Sequence, residues 1–75
     1  MNRLTGVINM IIQDGKHKYE VYLIDDGSLD TVIEINGRDF RFDSEYASIY
    51  RDKDGVMTEE GLRELAEETI YLTEL

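Results

Sequence analysis

Four glutamates, Glu60, Glu64, Glu67 and Glu68, recur at three- and four-residue spacing in the C-terminal run TEEGLRELAEETIYL. On a helix that spacing gathers them along one side. Their Cβ atoms would stand about 5–6 Å apart, a spacing comparable in scale to that of adjacent phosphates along a nucleic-acid strand. No lysine follows any of them at i+4, so their mutual repulsion goes unrelieved there. The chemistry such a row offers is attraction of a positively charged surface. Tyr71 falls within it, an aromatic among carboxylates of the sort that a basic, partly apolar partner would engage. Asp25, Asp26 and Asp30 in one turn and Asp52 and Asp54 in another extend the same sign.

Other reactive types are sparse. His17 is the single histidine and there is no cysteine, so no nucleophile–base pair, thiolate metal site or disulfide framework can be assembled. Paired-carboxylate catalysis needs two acids in a cleft at a set separation, and a short chain has little room for one. An enzyme is not expected. The run Asp52-Lys53-Asp54-Gly55-Val56-Met57-Thr58 resembles the second half of an EF-hand calcium loop. Aligning Gly55 with that loop's glycine leaves Tyr50 and Gly61 at the two end-ligand positions, so the expectation is a polar turn before a helix and no cofactor or metal.

The 17 acidic and 8 basic side chains, net −9, are unevenly placed. Up to Ile24, Arg3, Lys16 and Lys18 face Asp14 and Glu20, a balance of +1; from Asp25 onward five basic residues face fifteen acidic ones, a balance of −10. That asymmetry marks an electrostatic surface separate from an apolar N-terminal third, and it disfavours direct binding of nucleic acid or an anionic membrane. No apolar run approaches the length of a membrane span, and no signal-like segment opens the chain, so a cytoplasmic protein is expected.

The elements that must position these groups follow from periodicity and turn chemistry. Leu62, Leu65, Ala66, Thr69 and Ile70 form the apolar side of a helix over residues 58–72, with Thr58 as N-cap and Gly61 where a capping box would have glutamate. Upstream, Asp14-Gly15 and Asn36-Gly37 each separate two β-type runs, the strongest short hairpin signals. Pairing Gln13 with Lys16 would set Ile8 against Val21, Met10 against Tyr19 and Ile12 against His17. Pairing Ile35 with Arg38 would set Ile33 against Phe40 and Glu34 against Asp39, a like-charge pair. Residues 43–57 form a connecting segment: a helical turn capped by Asp43 or Ser44, or an irregular return, with Tyr46 and Ile49 inward.

The expected fold is therefore one α+β domain over residues 1–75. Two hairpins in residues 1–42 make a four-stranded antiparallel meander, and a C-terminal amphipathic helix packs on one face. Met10, Val21, Ile33 and Phe40 would meet Leu62, Leu65 and Ile70, with Ile8 among them. Val7, Ile11 and Tyr22 on the far face are a candidate homodimer interface; the alternatives are scattered surface apolars or cover by the connecting segment.

In size, charge and the bias of that charge to the C-terminal two thirds, the chain resembles the small acidic, phage-type proteins that imitate DNA. These occupy the DNA-binding surfaces of nucleoid proteins, restriction enzymes, CRISPR nucleases or uracil-DNA glycosylase. The class has no shared motif or fold, and this chain departs from its strongest members in keeping eight basic residues. The resemblance implies a non-enzymatic inhibitor of a basic, nucleic-acid-binding protein. The rival expectation is a homodimeric structural or regulatory adaptor that binds a protein through the apolar face of the first hairpin.

Overall fold

The computed structural model describes residues 9–26 and 30–74, the side chains of Asn9, Asp25 and Asp26 excepted. Four strands, β1 (Asn9–Asp14), β2 (His17–Asp26), β3 (Asp30–Ile35) and β4 (Arg38–Asp43), form one antiparallel sheet in sequence order. After α1 (Ser44–Ala47) and a 3-10 turn (Ser48–Tyr50), the chain reaches α2 (Glu59–Thr73). The fold is the α+β meander with a C-terminal helix that the two turn dipeptides and the helical periodicity predict.

The second hairpin follows its turn chemistry. Asn36 (φ 50°) and Gly37 (φ 86°) take the two positive-φ positions of a type I′ turn, and Ile35 pairs with Arg38, Ile33 with Phe40 and Glu34 with Asp39. The Asn36 side chain also ties this turn to β2, accepting from Glu20 N at 2.9 Å and donating to Lys18 O at 3.3 Å.

The first hairpin corrects the expected register. Asp14 pairs with His17, so the central residues are Gly15 and Lys16 in place of Asp14 and Gly15. Only Gly15 has positive φ (63°), which is what a type II′ turn asks of its first central residue. The shift brings Met10 opposite Val21 and Ile12 opposite Tyr19, replacing a pairing of Ile12 with a histidine by apolar and aromatic neighbours. A two-residue shift leaves every side chain on its original face, so the expected core survives the change. A bulge at Ile24, between Leu23 and Asp25, adjusts the β2–β3 ladder.

The core lies between one sheet face and α2: Met10, Ile12, Tyr19, Val21, Leu23, Ile33, Ile35, Met57, Leu62, Leu65 and Ala66, with Phe40, Phe42, Tyr50 and Ile70 at its margin. Ile8, also expected there, lies outside the described residues. The connecting segment differs from expectation in which residues face inward. Asp43 Oδ1 accepts from Tyr46 N at 2.8 Å and caps α1. The helical phase set by that cap points Ala47 and Tyr50 inward, whereas Tyr46 is 41 % and Ile49 72 % exposed.

Two local devices then seat α2. Arg51 and Met57 close residues 52–56 into a turn, in which Asp52 Oδ1 accepts from Asp54 N and Val56 N, both at 2.9 Å. Thr58 Oγ1 caps α2 by accepting from Gly61 N at 3.0 Å. Gly61 itself lies against the preceding turn so closely that a Cβ there would overlap the Tyr50 carbonyl oxygen. The glycine that breaks the capping box is the one that lets α2 approach the 3-10 turn.

Candidate functional site

Thr58 starts the helix, and burial of Leu62, Leu65, Ala66 and Thr69 fixes its rotation. Glu60, Glu64, Glu67 and Glu68 are thereby turned outward, and all four are exposed. Among the described residues no ion pair reaches any of them, although Arg63 shares the exposed part of the helix. They form a continuous row. Glu64, Glu67 and Glu68 line a groove with Tyr50, and Glu60 and Glu64 continue it past Arg51, Asp52 and Thr58.

Tyr50 is a feature of this surface that sequence reasoning placed elsewhere. Its phenol is pushed up from 10.0 to about 12, first by burial, then by its hydrogen bond and charge interaction with Tyr46, then by the negative charges of Glu68 and Glu64. It therefore stays a neutral hydroxyl at physiological pH and adds aromatic area to the row without adding charge. Phe42, Tyr46 and Tyr50 continue as a ring ladder from the sheet to the helix, with centroid distances of 5.5 and 6.0 Å. The available signal was the four-residue spacing of Tyr46 and Tyr50 after a capping aspartate. Tyr71, the aromatic expected in the row, is 78 % exposed and lines a second groove with Ile12, Asp14, Tyr19, Glu67 and Ile70.

The remaining acids divide. Asp52 borders the glutamate row, but one of its oxygens holds its own turn, and Asp54 is exposed in that turn. Asp30 lies on the sheet face away from α2, where Arg41 Nη1 meets its Oδ2 at 3.1 Å. Asp25 and Asp26 pair in the ladder with Val32 and Thr31, and their side chains lie outside the description. The described acids thus gather five residues on one surface, Glu60, Glu64, Glu67, Glu68 and Asp52, and leave Asp30 on another.

On the far sheet face Ile11 is 53 % exposed and Tyr22 half-buried, while Val7 lies outside the described residues. The connecting segment packs on the helix side, through Tyr46 against Phe42 and Tyr50 against the core. His17, expected opposite Ile12, instead opens β2 opposite Asp14, its ring 6.2 Å from that of Tyr19. Among the described residues no three His, Asp or Glu side chains are grouped to hold a metal ion. No helix among them is long and apolar enough to cross a membrane. Comparison of the chain with protein-family models, curated proteins and solved structures finds no match.

Proposed function

We propose that this chain is a non-enzymatic acidic binding protein of the DNA-mimic kind, which acts in the cytoplasm by occupying the basic nucleic-acid-binding surface of a nucleoid protein or nuclease. The observation that carries the reading is the exposed row of Glu60, Glu64, Glu67 and Glu68, none of which makes an ion pair among the described residues, although Arg51 and Arg63 lie near it. Arg63 is the one basic residue of α2 and makes no ion pair with any of the four, and glutamates left unpaired at this spacing repel one another. That cost is offset when a cationic partner docks. The carboxylates would then replace phosphates against the partner's arginines and lysines, with Tyr50 and Tyr71 offering ring surface to a guanidinium. Affinity would rest mainly on charge and fall steeply as salt rises.

The test is capture from lysate at low salt, followed by elution with salt and competition with duplex DNA. The expected result is a basic DNA-binding protein released by either treatment. Failure to retain any such protein, or retention indifferent to DNA, would overturn the reading. The exposed Ile11 on the far sheet face favours a second reading, a homodimeric adaptor that uses Val7, Ile11 and Tyr22, with the acidity serving solubility. Charge reversal at the four glutamates separates the two. Binding lost on reversal supports the mimic, and binding lost only in Tyr22→Ala supports the adaptor.

A further inference from the structure

We propose that two copies of this chain pair through the edge of β1 that no described strand covers, antiparallel and centred on Ile11, to join their eight described strands into one continuous sheet. The two edges of the described sheet differ in kind. β4 carries Arg38, Asp39, Arg41 and Asp43, charges of the sort that keep an edge from pairing, whereas β1 has no charge from Asn9 to Gln13. In a chain of net charge −9 this is where two copies meet with least repulsion.

The hairpin geometry supplies the register. Asp14 and His17 flank a two-residue turn and exchange both ladder hydrogen bonds, so Ile12 and Met10 also bond inward to β2. The alternate residues, Asn9, Ile11 and Gln13, then aim their backbone N–H and C=O groups outward. A two-fold axis through Ile11 matches these groups to themselves: Ile11 faces Ile11 of the second copy and Asn9 faces its Gln13, all as hydrogen-bonded pairs. Met10 and Ile12, both members of the core, stand opposite one another across the junction. Residues opposite one another in a ladder share a face, so both α2 helices would lie on the same side and their glutamate rows would form one double-length acidic surface. The pairing stands independently of which partner that surface meets.

Sedimentation over a range of concentrations tests it, together with amide hydrogen exchange. The expected result is a monomer–dimer equilibrium in which the amides of Ile11 and Gln13 slow as concentration rises. Ile11→Lys, at an exposed position, should raise the dissociation constant about tenfold or more, while Tyr22→Ser leaves it unchanged. Raising salt from a low level should tighten the dimer by screening the two negative chains, opposite in sign to its effect on binding a basic partner. A chain that stays monomeric at every concentration would overturn the proposal. So would a dimer in which those two amides exchange freely, or one abolished by Tyr22→Ser.

Discussion

Two side chains decide how the acidic row is held, and each makes a measurable claim. Replacing a helical glycine by alanine ordinarily gains about 1 kcal/mol in helix propensity. At Gly61 the added methyl would overlap the Tyr50 carbonyl, a backbone atom that cannot rotate away. Gly61→Ala is therefore expected to destabilise the protein by about 1–3 kcal/mol, the cost typical of overpacking, read as a lower urea midpoint with an unchanged slope. Tyr50 makes the second claim. Its folded-state value of about 12 exceeds the ordinary 10.0, so the folded chain keeps the phenolic proton at pH values where the unfolded chain has released it. Its contribution is complete below about pH 10 and is lost as pH climbs toward 12. Tyr50→Phe should flatten that alkaline fall in stability and remove the component near pH 12 from the phenolate absorbance titration. An unchanged alkaline limb would place the cause elsewhere.

At the scale of elements, turn chemistry read correctly where one residue type satisfies one turn and less well where two turns compete. Asn36-Gly37 has a single solution: both residues tolerate positive φ, and the observed ladder is the expected one. Asn36 also holds Glu20 N and Lys18 O of β2, so Asn36→Ala should lose a favourable αL residue and two hydrogen bonds together. A loss of about 1–3 kcal/mol is expected, with hydrogen exchange accelerated first at Glu20. Asp14-Gly15-Lys16 admits two turns, and the preference of Ile12 for Tyr19 over His17 chooses the second. That choice depends on tertiary packing and is invisible to a dipeptide rule. The connecting segment was harder still, because in DSEYASIY the expected inward residues are Tyr46 and Ile49, and only the phase set by the Asp43 cap picks out Ala47 and Tyr50 instead. The glutamate row was legible because the buried stripe of α2 dictates it. The place of Tyr50 beside it depends on Gly61 and was not.

For the molecule as a whole, the proposed function and the stability of the fold pull in opposite directions on the same four residues. Glu60–Glu64 and Glu64–Glu68 are like-charge neighbours at i,i+4, and Glu64–Glu67 at i,i+3, with no ion pair among the described residues to relieve them. Each such pair costs about 0.2–0.5 kcal/mol at low salt. Replacing all four by glutamine keeps their shape and hydrogen-bonding capacity while removing the repulsion. Because the attractions of Glu60 and Glu67 to Arg63 are lost with the three repulsions, the variant is expected to be more stable than the parent by only about 0.2–0.5 kcal/mol, seen as a slightly higher thermal midpoint in low salt that converges with the parent as salt is added. Binding to a basic partner should move the other way, weakening strongly and losing most of its salt dependence, because the charges that drive association are gone. If the acidity served only solubility, the same variant would gain stability and keep its partner. The pairing of the two measurements is what separates charge kept for binding from charge that is merely tolerated.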